Sequence, residues 1–140
     1  MSRLRTIRDG HAGRGQALVE TAFMLPLILL VSLATFDLGR ALFHHIALRE
    51  ATQEGALYAA YEPYPASDIM ARVTTSSSNE AVAGATVTVP SCTTSPGTGQ
   101  VVVRSTYEMP VVSPPAVLLF GSTVTLTEEI TATNFNGDCS

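Results

Sequence analysis

Ala17-Leu18-Val19-Glu20-Thr21-Ala22-Phe23-Met24-Leu25-Pro26-Leu27-Ile28-Leu29-Leu30-Val31-Ser32-Leu33-Ala34-Thr35-Phe36 decides how this chain is organised. It holds 20 residues with one charge, Glu20. As a helix it rises about 30 Å, the thickness of a bilayer's hydrocarbon. Pro26 does not exclude a helix there, because membrane helices tolerate proline by a kink or local repair. Glu20 is the anomaly. A carboxylate at the centre of a membrane helix costs about 2.5–3.5 kcal/mol, and less towards its end, so such a residue is a functional candidate by default.

The flanks set the expected orientation. The chain has no lysine, and Arg3, Arg5, Arg8 and Arg14 precede the apolar run with only Asp9 opposing them. The positive-inside rule leaves that end in the cytoplasm and sends the remainder outward. Beyond Gly15, 4 arginines face 11 carboxylates, a net −7. Such a surface argues against nucleic-acid binding, which needs basic groups for the phosphates. The N-terminal arginines read as a topology signal. With 140 residues and 46% apolar composition, the chain accommodates one domain and is not generally disordered.

From Asp37 to Ala60 the pattern continues as the same helix leaving the membrane. Leu38, Leu42 and Ile46 recur on one helical face. Ala47, Ala51, Gly55 and Ala59 form a second stripe, small enough for close packing on another helix or on the chain's own sheet. The same alanines are also simply good helix formers. Pro63 and Pro65 end the helix. Three organisational units follow: a basic leader over residues 1–15, a long helix over 16–60 that spans the membrane to about residue 38, and an extracytoplasmic α+β domain over 61–140.

In that outer portion, residues 67–73 suit a short helix capped by Ser67. Residues 74–84 are polar and read as loop. Residues 85–89, 100–109 and 123–133 alternate valine and threonine, as antiparallel strands with one buried face require. Residues 90–99 and 110–115 are proline-punctuated connections. Residues 116–120 are apolar and suit a short strand or turn. The expected fold class is therefore α+β, a long N-terminal helix packed on a small antiparallel sheet. Cys92 and Cys139 both fall in the exported part, where an oxidising compartment favours a disulfide. Bridging them would close a loop of about 48 residues, worth around 4 kcal/mol in the chain-entropy model.

Catalytic and metal-binding patterns are missing from the sequence. It holds no G-x-S-x-G elbow, Walker loop, HExxH or CxxC. His44 and His45 are adjacent, so they point about 100° apart on a helix and cannot share a metal; they read as surface or interface residues. Glu50 and Glu54 read as solvated charges, and of Glu128 and Glu129, consecutive on a strand, one faces inward. No cofactor, metal or enzymatic activity is expected.

Gly15, Ala17-Leu18-Val19-Glu20, Pro26, Phe36-Asp37-Leu38-Gly39-Arg40, and Ala51 with Glu54-Gly55-Ala56 occur here in one order. In that order they resemble type IV pilin precursors, and more narrowly the TadE-like minor pilins of the Tad (Flp) pilus system. Two positions depart from the family pattern: Thr21, where a bulky apolar residue is usual, and Leu57, where an arginine is usual. The resemblance implies a pilin-like fold and removal of the leader after Gly15 by a membrane-embedded prepilin peptidase. It also implies pairing of Glu20 with the new α-amino group of Gln16 on a neighbouring subunit, and assembly with other pilin subunits on a pilus platform. Two alternatives stay open. The chain could be a membrane-anchored extracytoplasmic binding module that never polymerises, or a secreted protein cut after Ala34, where Ser32-Leu33-Ala34 suits signal peptidase.

Overall fold

A computed structural model describes residues 12–63, 65–95, 99–136 and 139. Most of the expected leader, residues 1–11, lies outside them. The order of elements is helix α1 (Ala12–Tyr61), helices α2 (Ala66–Thr75) and α3 (Glu80–Ala83), strands β1 (Thr86–Cys92) and β2 (Gly99–Pro110), helix α4 (Pro114–Phe120) and strand β3 (Thr123–Asn134). This is the expected α+β arrangement, a long N-terminal helix on a small antiparallel sheet.

Helix α1 has 50 residues, about 75 Å of axis, and continues through Pro26 without interruption. Among the described residues, its buried positions begin at Asp37. Strand order in the sheet is β1-β2-β3, and β2 pairs with β3 over its whole length, from Gly99 opposite Asn134 to Pro110 opposite Thr123. Alternation decides which face is covered. Val101, Val103, Ser105, Tyr107 and Met109 of β2 point at α1 and are buried, while Gln100, Arg104 and Glu108 point to the open face. On that open face Arg104 pairs with Glu129, directly opposite it in register. Pro90 falls where the β1–β2 register shifts, on an edge strand whose ladder can spare a donor.

Two contiguous clusters make the core. Ala51, Ala56 and Ala59 of α1 meet Ile69, Val73, Val82, Val87, Val101 and Val103, and Leu48 meets Ala81, Tyr107 and Met109. The stripe of small residues is thus the face turned inward, whereas Leu38, Leu42 and Ile46 are exposed. Close approach explains the inversion. A Cβ on Gly55 would lie 2.2 Å from Val73 Cγ2, so α2 sits nearer to α1 than any larger residue permits. At the polar centre of this interface, the Thr52 hydroxyl donates to the Leu48 carbonyl (2.7 Å) and accepts from Ser105 Oγ (2.8 Å). Both buried hydroxyls are thereby satisfied.

The C-terminal segment is stitched down at three points. Phe135 N–H donates to the Ala60 carbonyl (2.9 Å), the Phe135 ring stacks on Tyr61 at 5.2 Å, and Cys139 is bonded to Cys92 with Cα atoms 5.9 Å apart.

Several local expectations change. Helix α2 starts after Pro65, so Ser67 lies inside the helix, against Asp68, and caps nothing. Residues 74–84 are not all loop: Thr74 and Thr75 finish α2, and Glu80–Ala83 form α3 because Asn79 Oδ1 accepts the Ala81 N–H (2.9 Å). The expected strand or turn at 116–120 is helix α4, opened by Pro114 and Pro115 in its first turn. It is closed by Gly121 at φ 84°, a conformation that favours glycine. Strand β1 runs on past residue 89 to Cys92, into what reads in the sequence as a connection.

Two stability changes follow. Gly55→Ala gains about 1 kcal/mol of helix propensity but suffers about 1–3 kcal/mol of overpacking against Val73, so it lowers the melting temperature. Val73→Ala added to it restores part of the loss. Gly39→Ala, with nothing within 4 Å of the added Cβ, raises the melting temperature by the propensity term alone, up to about 1 kcal/mol. Thermal unfolding in detergent micelles distinguishes them, and equal effects would mean that α1 and α2 are not packed this closely. Reducing the disulfide should cost about 4 kcal/mol in the same assay.

Candidate assembly site

Every residue from Gly15 to Phe36 is exposed, among them Leu18, Phe23, Leu25, Leu27, Ile28, Leu30 and Phe36. This is the one helix among the described residues long and apolar enough to cross a membrane. Its hydroxyls suit hydrocarbon. Thr21 donates to Ala17 O (2.9 Å), Ser32 to Ile28 O (2.8 Å) and Thr35 to Val31 O (2.8 Å), so each is satisfied within the helix.

Glu20 is different. Among the described residues it has no hydrogen-bond or ion-pair partner, and it stands exposed near the start of the run. Gly15 and Gln16 lie four to five residues before it, at the unpacked beginning of α1. Gln16 and Glu20 are therefore one helical turn apart, about 6 Å along the axis. Local unwinding around Gly15 is inexpensive, since among the described residues nothing lies within 4 Å of a Cβ placed there and end turns fray readily.

The site's other end is the junction at Asp37. This carboxylate is 6% exposed and receives the Ser113 N–H at 2.8 Å and the Val112 N–H at 3.4 Å, with Arg40 at 3.9 Å. Ser113 is the residue that opens α4. One side chain on α1 therefore fixes where the β2–α4 connection meets the helix. Nothing but the position of Asp37, directly after the uncharged run, signals this role in the sequence.

About two turns further along, His44 is buried rather than at the surface. Its Nδ1 lies 3.0 Å from Asn79 Oδ1, the oxygen that already caps α3, and its ring is 5.7 Å from that of Tyr107. Because Asn79 Oδ1 accepts from Ala81, the proton of this contact sits on His44 Nδ1. His45 instead faces Glu128 at 3.1 Å, the inward member of the Glu128–Glu129 pair. Glu54 is paired with Arg72 at 2.7 Å, not merely solvated. Burial pushes the Tyr107 phenol up, and Tyr58 is raised by the hydrogen bond it donates to Glu62 (2.8 Å). No group of three or more His, Cys, Asp or Glu among the described residues could hold a metal ion.

Of the residues singled out in the sequence, Gly15, Gln16 and Glu20 lie together at the free end of α1. Ala51, Gly55 and Ala59 lie in the core with Ala47 at its margin, and Cys92 and Cys139 lie at the far end of the domain. These are three separate places: an exposed stem, a packed interface and a covalent staple.

A helix built this way, apolar and uncovered at one end and seated in a small domain at the other, suits a membrane anchor. The model of the TadE-like protein family matches residues 15–57, from Gly15 into the packed stripe. Over those residues the chain is similar to TadE-like proteins. The match lies wholly within α1; residues 58–140 are outside it. Comparison with curated proteins and with solved structures finds no match.

Asp37→Ala should leave the Val112 and Ser113 amides without their acceptor. Hydrogen exchange is expected to accelerate at these two amides and through α4, with the central β2–β3 ladder unchanged. Unchanged protection of Ser113 would show that the carboxylate does not hold the connection.

Proposed function

We propose that this chain is a minor pilin, or pseudopilin, that takes part in the assembly or initiation of a Tad-type pilus. The observation that carries the reading is the exposed apolar stem of α1 with a single unpartnered carboxylate one turn from Gln16. The stem is held in the membrane with the arginine-rich end in the cytoplasm and the domain outside. A prepilin peptidase cuts after Gly15, where the lack of a side chain lets the backbone enter a narrow cleft. The cut creates an α-amino group on Gln16. On extraction into a filament, lipid is replaced by the stems of neighbouring subunits, and the Glu20 carboxylate pairs with the amine of an adjacent Gln16. An unpaired charge is penalised in hydrocarbon and relieved by pairing, so the carboxylate selects a stagger between subunits.

The outward face of α1 above the stem supports the same reading. Leu38, Leu42 and Ile46 are exposed, and they continue the apolar surface beyond the membrane. They are the surface on which a neighbouring subunit would pack. In this reading the protein is structural and catalyses nothing. Helix α1 continues unbroken past Ala34, with Thr35 hydrogen-bonded back to Val31. That continuity favours processing at Gly15 over release after Ala34.

Glu20→Leu and Glu20→Gln should insert into the membrane as the parent does. Loss of a buried charge pair costs about 3–5 kcal/mol, so recovery of either variant in sheared pili should fall on the order of a hundredfold or more. Parental incorporation of both variants would remove charge pairing from the mechanism.

A further inference from the structure

Helix α4 is out of place for a soluble domain. Leu118 is 87% exposed and Phe120 70%, and from Met109 to Thr127 the chain carries no charged residue. Its location gives those exposures a meaning. Phe120, with Pro115 and Met109, lines an apolar groove whose opposite wall is Ala34 and Leu38 of α1. Ala34 belongs to the apolar stem and lies two residues short of its end, about 3 Å along the axis. Helix α4 is therefore level with the point where α1 leaves the hydrocarbon. The carboxylate at that level, Asp37, is turned inward and covered by the Val112 and Ser113 amides, with Arg40 beside it. It offers no bare charge to an apolar surface.

We propose that α4 is a second membrane contact, resting on the reading of residues 17–36 as the span. Leu118 and Phe120 enter the boundary between headgroups and acyl chains of the outer leaflet, so the domain is seated on the bilayer instead of standing off on one helix. A phospholipid surface is the occupant because Phe120 shares its groove with Ala34 of the stem, and Leu118 stands bare on the same short helix. A short apolar element lying in the interface gains from such burial without crossing the membrane. The Asp37 clasp sets the depth at which α4 rides.

The chain has no tryptophan, which supplies the test. Leu118→Trp, Phe120→Trp, Phe23→Trp in the stem and Thr131→Trp at the far end of β3 each give a single fluorophore. The full chain is reconstituted in phosphatidylcholine–phosphatidylglycerol vesicles, with acyl chains brominated either near the headgroup or near the terminal methyl. Retention of the disulfide and of the helix content certifies folding. The expected result is blue-shifted emission from L118W and F120W, quenched several-fold more than T131W and chiefly by the shallow bromines, with F23W quenched too. Quenching of F23W with L118W and F120W indistinguishable from T131W overturns the proposal and leaves the span intact. Absence of quenching at F23W overturns the span reading and the proposal together. Blue-shifted but unquenched L118W that responds to the protein-to-lipid ratio also overturns it, in favour of a second copy covering the patch.

Discussion

The structure turns on an apolar half-helix that its own domain does not cover. From Gly15 to Phe36 no side chain is buried. Each fully buried Leu, Ile, Val, Phe or Met is worth about 1.5–3 kcal/mol, so a run of this length in water represents tens of kcal/mol of unfavourable surface. No rearrangement of so small a domain could cover it. The hydrocarbon of a bilayer suits such a stem, and it asks one thing of the polar atoms there: satisfaction inside the helix. Thr21, Ser32 and Thr35 comply. Glu20 does not, and on the proposed reading that exception is what lets the anchor assemble.

The upper half of α1 solves the opposite problem. It seats the domain while leaving Leu38, Leu42 and Ile46 exposed. Small residues on the inner face let α2 and the sheet come close around Leu48, and Leu38, Leu42 and Ile46 remain on the outer face. Buried polar contacts fix the register: Thr52 with Ser105, His44 with Asn79, and Asp37 with the Ser113 amide. The disulfide and the stacked Tyr61–Phe135 pair close the far end. Order at the junction fixes how the domain is held relative to the stem.

Much of this was legible in the sequence, for identifiable reasons. A period of two over valine and threonine marks strands whose one face is buried, so β2 and β3 were located to within a residue. The long helix announced itself by an apolar run followed by a 3.6-residue pattern and two prolines. Other features were not legible. Five apolar residues at 116–120 are compatible with strand, turn or helix, and only the Asp37 clasp and the paired prolines select a helix. Four-residue α3 depends on Asn79 being held by His44, a contact across 35 positions that no local pattern reveals. Ser67 resembles a cap, but Pro65 starts the helix two residues earlier by presetting the backbone. As for the site, Gly15, Gln16 and Glu20 were visible because a charge and a glycine break an otherwise uniform pattern. Asp37 looked like the first residue out of the membrane, and its burial required the fold.

The N-terminal residue of the protein, recovered from membranes of a cell that carries its native assembly system and read by mass spectrometry, tests the account most directly. Cleavage that leaves Gln16 as the first residue is the predicted result, because Glu20 then has an amine one turn away to pair with on a neighbour. A chain still starting at Met1 would contradict it by leaving that carboxylate without its partner, and a chain starting at Thr35 would contradict it by removing the stem altogether.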